Sequence, residues 1–183
     1  MPEPAIKPKV IMIHGNGGGT GHEGWFPSVR RELEDAGLEV SNPTFPDNVK
    51  ARAQYWLPYI TELGAGTNTI LIGHSSGAVA ALRYAEHHQI LGSVLVGACY
   101  TDLGDASERV SGYYSAPWDW EAIRSNQQWV IQYASPDDPY IPVAEARFIQ
   151  KKLAAKYFEL PGRGHFEQKQ FPELPKAVMK MLN

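Results

Sequence analysis

Residues 69–79 read TILIGHSSGAV: two adjacent serines between two glycines, directly behind a short apolar run. A serine hydroxyl is inert until a base takes its proton during attack, so acyl transfer by serine also needs a histidine, an acid to orient it and N–H donors for the oxyanion. Gly-x-Ser-x-Gly alone arises by chance; a strand before it and a helix after it make it a nucleophile elbow. The spacing chooses between the serines, because positions two before and two after the nucleophile press on the turning backbone. Around Ser75 these are Gly73 and Gly77, and both fit. Around Ser76 they are His74 and Ala78, and the histidine would clash. Ser75 is the expected nucleophile, and Ser76 supplies the main-chain N–H that follows it, half of an oxyanion hole.

Of the six histidines, His165 in ELPGRGHFEQ suits the base, since it follows the last apolar run. His87 and His88 end a helical stretch, His22 lies in a loop, His74 is the elbow's variable position and His14 ends the first strand. The acid that fixes the imidazole tautomer should follow a neighbouring strand. QYASPDDPYIP offers Asp137 and Asp138 there. Asp138 is preferred because the following Pro139 favours an extended backbone, a constraint that does not settle the choice. The second oxyanion donor should come from the loop after the first strand, IHGNGGGTGHEGW, where glycines let N–H groups approach a ligand oxygen. Asn16 or Gly17 is the expected donor, with Asn16 favoured as the residue after His-Gly.

These residues need a scaffold that brings them to one edge. Short, continuously apolar runs (9–15, 67–74, 90–98, 128–135, with shorter ones at 38–43 and 156–160) alternate with amphipathic stretches. Runs buried on both faces belong to a parallel sheet covered by helices, so the expected fold class is α/β, a mostly parallel sheet of about six strands with helices on both faces and no separate cap domain. The second helix is read over 48–63. Residues 1–8, with three prolines, are read as a flexible lead-in, and 9–183 as one domain. The segment 99–117 is the longest irregular stretch and the only lid candidate.

Composition narrows the classes of function. Net charge is −3, and no basic run exceeds the pairs Arg30–Arg31 and Lys151–Lys152, so no nucleic-acid footprint is expected. No apolar window approaches a membrane span, and no membrane partner is expected. The single Cys99 excludes an intramolecular disulfide framework and a cysteine zinc site, and points to a reducing, cytoplasmic setting. Gly19, Gly21 and Gly24 spell G-x-G-x-x-G, but several residues beyond the strand and without the acidic residue that a ribose would need. No phosphate loop and no metal-ligand spacing occurs, so neither metal nor cofactor is expected. Trp25, Phe26, Tyr100, Tyr113, Tyr114, Trp118 and Phe166 load the loops that should overhang Ser75. Gly17, Trp25, Tyr113, Trp118 and Phe166 are the expected substrate-binding residues, around a mainly apolar pocket for a small ligand.

The segments HGNGGG, IGHSSGA, RYAE, TDLGD, SGYYSAPWDWEAIRSN, SPDDP and GHF together resemble the small serine hydrolases of the retinoblastoma-binding protein 9 family, from Val10 to about Leu182. The resemblance implies a compact α/β-hydrolase fold, a triad of Ser75, Asp138 and His165, and cleavage of small carboxylic esters or amides, including amino-acid esters and aminopeptidase-like substrates. One departure matters: binding of a pocket protein needs an L-x-C-x-E segment, and Cys99 has Gly97 and Thr101 where Leu and Glu would stand. Pocket-protein binding is therefore not implied. The rival to an enzyme is a binding module on a hydrolase fold, which the presence of all three catalytic residue types disfavours.

Overall fold

The computed structural model describes residues 7–183, so the first six positions of the expected lead-in lie outside the described residues. Strands β1 (Lys9–Ile13), β2 (Glu39–Ser41), β3 (Thr69–His74), β4 (Gly92–Val96), β5 (Trp129–Ala134) and β6 (Lys156–Glu159) form one sheet. Its order is β2-β1-β3-β4-β5-β6 and every pairing is parallel. Side chains alternate between two apolar layers. Val10, Met12, Ile70 and Ile72 enter one, while Ile11, Ile13 and Leu71 enter the other. Both faces are buried, which is why these strands read as unbroken apolar runs.

Helices α1 (Phe26–Asp35) and α7 (Glu173–Leu182) cover the first layer through Val29, Leu33, Leu174 and Val178. On the other face, α2 (Ala53–Glu62), α3 (Ser76–His87), α5 (Trp120–Ser125) and α6 (Val143–Leu153) contribute Ile60, Leu82, Ile123 and Ile149. The chain runs from β1 out to the edge strand β2 and returns to β3 on the far side of β1. The loops after β1 and β3 therefore diverge, opening a crevice at the carboxyl edge of the sheet, where open α/β sheets bind ligands.

Two local departures from the sequence pattern have physical causes. The second helix begins at Ala53 rather than 48, because Asp47 and Ala51 take positive φ (52° each) and Arg52 folds back on the Asp47 carboxylate, Nε to Oδ2 at 2.8 Å. The 99–117 segment contains one helical turn, α4 (Ala106–Arg109), capped by Asp105, whose Oδ1 accepts from the N–H groups of Ser107 (2.7 Å) and Glu108 (3.2 Å). This segment is not loose. Its start is held by the Glu145 carboxylate on the N–H groups of Tyr100 and Thr101 (2.9 and 3.1 Å). Its end is held by the buried Arg83, which bonds the carbonyls of Tyr113 (2.7 Å) and Ala116 (2.6 Å) and pairs with Glu86 at 2.8 Å.

The glycines of the elbow meet backbone, not flexible side chains. A Cβ on Gly73 would lie 2.3 Å from the Gly77 carbonyl oxygen, and one on Gly77 would lie 2.1 Å from that of Ile13. Neither neighbour can swing away. Gly77→Ala is expected to lose more than the ~1–3 kcal/mol usual for overpacking, read as a fall in thermal midpoint. An unchanged midpoint would show that α3 can shift off β1.

Candidate active site

Ser75 sits between β3 and α3 with φ 55° and ψ −119°. For a residue with a Cβ this backbone costs about 1–3 kcal/mol, stored where the surroundings enforce it. Here the enforcement is the strand-to-helix turn itself and the Ser75 N–H, which donates to the Val96 carbonyl on β4 at 2.8 Å. The loop after β1 lies against it, since a Cβ on Gly15 would be 3.4 Å from the Ser75 Cβ.

The loops after β5 and β6 bring Asp138 and His165 together. His165 Nδ1 donates to Asp138 Oδ2 at 2.7 Å, and the Asp138 side chain is only 3% exposed. The other oxygen, Oδ1, accepts from the N–H groups of Tyr140 (2.8 Å) and Ile141 (3.0 Å). Burial pushes the Asp138 carboxyl up, but the bonds from His165, Ile141 and Tyr140 outweigh it and hold the group below its ordinary value. Asp137 is turned elsewhere: it accepts from the Ser135 hydroxyl and from the Gly162 N–H at 2.9 Å, bracing the loop after β6. With Nδ1 engaged, Nε2 is the ring nitrogen of His165 left to take a proton. Gly97, at φ 60°, backs this pair, because a Cβ there would lie 3.3 Å from His165 Cε1. Composition gave no hint of that close approach.

Two further histidines border the site and are kept neutral. Burial lowers His74 to about 4, with a further push from His165. Its Nε2 donates to the His165 carbonyl at 2.7 Å, tying the elbow to the loop that carries His165. His14 is likewise lowered by burial. It accepts from the Phe45 N–H at Nε2 (2.8 Å), so its proton is on Nδ1 and donates to the Gly15 carbonyl (2.8 Å).

At the glycine loop, the Gly17 N–H donates to the Val49 carbonyl at 2.9 Å and the Gly18 N–H to that of Asn48 at 3.1 Å. Among the described residues, the main-chain N–H groups of Asn16 and Ser76 make no such bond. A cavity of about 720 Å³ opens over this point, lined by Asn16, Ser75, Ser76 and His165 together with Trp25, Phe26, Tyr114, Tyr140 and Phe166. Trp25 and Phe166, both 1% exposed, form its wall and are joined by a bond from Trp25 Nε1 to the Phe166 carbonyl at 3.0 Å.

Three expected substrate contacts do not reach the cavity. Gly17 turns its N–H into the 48–49 strap. Tyr113 is buried in the core, and Trp118 stacks on the Arg83 guanidinium at 3.5 Å with its Nε1 on the Tyr100 carbonyl. The Arg83 latch packs this stretch on α3, so that of residues 113–118 Tyr114 reaches the cavity while Tyr113 and Trp118 do not. In their place the cavity holds Glu23, Asp105, Glu108 and Glu167, and no lysine or arginine lines it among the described residues. Scattered acids in loops carry no spacing signal, so this acidity was not legible before the fold was known. Cys99 also lines the cavity, but burial pushes its thiol up to about 12.

A parallel sheet of this order, helices on both faces and a positive-φ serine at the switch point define the α/β-hydrolase fold. The family model described as serine hydrolase matches residues 10–183, and the chain belongs to that family. It is 45% identical over 177 residues to serine hydrolase RBBP9 of Rattus norvegicus, covering 95% of each chain. The crystal structure of the ydeN gene product from B. subtilis superposes with a TM-score of 0.86 at 23% identity, covering 95% of this chain and 98% of that one. Est1E from Butyrivibrio proteoclasticus with ferulic acid bound shares the fold at a TM-score of 0.73 and 17% identity, covering 98% and 90%. The protein is a hydrolase, and no described helix is long and apolar enough to cross a membrane.

Proposed function

We propose that this hydrolase cleaves small carboxylic esters or amides through an acyl-enzyme, with Ser75 as nucleophile, His165 as base and Asp138 as the orienting acid. The observation that carries the reading is the 2.7 Å bond from His165 Nδ1 to the buried Asp138 carboxylate, in the cavity wall that also holds the strained Ser75. Ser75 Oγ attacks the carbonyl carbon as its proton passes to His165 Nε2, and the N–H groups of Asn16 and Ser76 receive the oxyanion. The imidazolium then protonates the leaving alcohol or amine. Water, deprotonated by the same nitrogen, releases the acid. The Asn16 N–H, which makes no main-chain bond among the described residues, lies beside the engaged one of Gly17 and supports Asn16 as donor. No step draws on a metal or cofactor. The unpaired, buried Cys99 is consistent with a cytoplasmic setting.

Four carboxylates, with no lysine or arginine lining the cavity among the described residues, give it a negative field, which favours substrates carrying an ammonium, such as amino-acid esters or aminoacyl amides. The first test is intact mass with a fluorophosphonate: one adduct, mapped to Ser75, is expected, and a folded protein that stays unlabelled overturns the reading. The second compares kcat/KM for esters of one alcohol whose acyl groups are matched in size and bear an ammonium, no charge or a carboxylate. The expected order is cation, neutral, anion, with the spread shrinking as salt rises. An anion preference would reject the amino-acid reading and leave ester or amide hydrolysis standing.

A further inference from the structure

The proposed oxyanion donor sits on Asn16-Gly17-Gly18-Gly19, and glycines are the residues least able to hold a backbone still. An oxyanion hole works by being organised before the charge develops, so something must hold Asn16. Residues 17–19 are tied to the 48–49 strap: Gly17 and Gly18 donate to Val49 and Asn48, and Asn48 Nδ2 donates to the Gly19 carbonyl at 2.9 Å. Asn16 itself has one tie to another element among the described residues, from its Nδ2 to Glu108 Oε1 at 2.7 Å. Glu108 lies on α4, and that turn is braced by the Asp105 cap and by Arg109 Nε on Asp102 Oδ2 at 2.8 Å.

The carboxylate is in an unfavourable place. Glu108 is half-buried among Cys99, Tyr113 and Tyr114, beside Asp105 and Asp102, and makes no ion pair with a lysine or arginine among the described residues. Desolvation raises its pKa, which the Asn16 bond only partly opposes. A side chain that costs stability at the cavity wall while bonding the residue next to the oxyanion calls for a role.

We infer that Glu108 is a positioning residue, which clamps the Asn16 side chain so that the Asn16 main-chain N–H is fixed toward the oxyanion formed at Ser75. The inference rests on the proposed ester or amide hydrolysis. It makes the 99–117 segment a strut for the oxyanion loop as well as a wall of the cavity.

The test uses a neutral ester, so that the cavity's field does not act on substrate binding, and the variants Glu108→Ala, Glu108→Gln, Asn16→Ala and the double Glu108→Ala/Asn16→Ala. Glutamine keeps an acceptor for Asn16 Nδ2, and Asn16→Ala keeps the main-chain N–H. Glu108→Ala and Asn16→Ala should each lower kcat by about 10- to 100-fold with KM little changed, less than or equal to the loss of a whole donor. Glu108→Gln should recover most of that loss, and the double variant should be no worse than either single one, because both remove one contact. Additive losses in the double variant, a glutamine variant as impaired as alanine, or a loss confined to KM would each overturn the clamp. Should Glu108→Ala not fold, Asn16→Ala should still lower kcat with KM little changed while Glu108→Gln stays near wild type, and an Asn16→Ala variant with wild-type kcat would overturn the clamp. A wild type without a fluorophosphonate adduct at Ser75 would instead overturn the hydrolysis itself.

Discussion

Replacing Ser75 by alanine should abolish labelling by a fluorophosphonate and lower kcat by on the order of 10⁶-fold, while Ser76→Ala still labels. The asymmetry follows from the turn. Ser75 occupies φ 55°, between glycines whose added Cβ atoms would strike backbone at 2.3 and 2.1 Å, whereas Ser76 opens α3 and offers the site its main-chain N–H, which alanine retains. Alanine at 75 keeps the strained backbone because it keeps a Cβ, so stability should barely change. Ser75→Gly should lose activity equally yet raise the thermal midpoint, recovering about 1–3 kcal/mol of strain. Intact mass against time and a melting curve for each variant check the set. Labelling of Ser75→Ala, or its loss in Ser76→Ala, would place the nucleophile at the other serine.

Asp138→Asn should lower kcat about 10⁴-fold without unfolding the protein, and Asp137→Asn should leave turnover close to wild type. The direction is set by the bonds around Asp138. Its Oδ1 accepts from two main-chain N–H groups, Tyr140 and Ile141, and the single oxygen of an asparagine will stay with them. The new NH2 then faces His165 Nδ1, which must become an acceptor. The imidazole proton moves to Nε2, the nitrogen proposed to receive the Ser75 proton, and that role is blocked. Asp137 bonds only Ser135 and loop amides, so its loss loosens the loop without touching the tautomer. Steady-state kinetics on one ester separates the two, and equal losses would contradict the assignment. A pH consequence follows as well. The folded-state pKa of Asp138 is depressed, so its stabilisation is complete above the ordinary carboxylate value of 3.8 and disappears as pH falls through the lower folded-state value. Denaturant unfolding at a series of pH values should therefore show the gap between wild type and Asp138→Asn closing only in that acid range. A gap that closes near neutrality would assign it to another group.

Much of this was legible in the chain. The apolar runs and their alternation with helical stretches specified a parallel, two-faced sheet, because burial on both sides removes the polar alternation that marks other strands. Gly73 and Gly77 pointed to Ser75 as the elbow residue, since a crowded turn admits only small neighbours, and the last strand's loop pointed to His165. Asp137 and Asp138 both stayed open as the acid until a resemblance favoured Asp138. What the sequence left open concerns which way loops turn. Trp118 and Tyr113 look like pocket aromatics until Arg83, thirty or more residues away in the chain, is seen to bind that segment to α3. Gly17 stays a candidate donor beside the favoured Asn16 until Val49 is seen to take its N–H. Glu108 is an ordinary acid in a loop until α4 sets it against Asn16. Local pattern reports what is buried and where a chain must turn; contacts between distant loops depend on the sheet order, which alone decides which strand ends become neighbours.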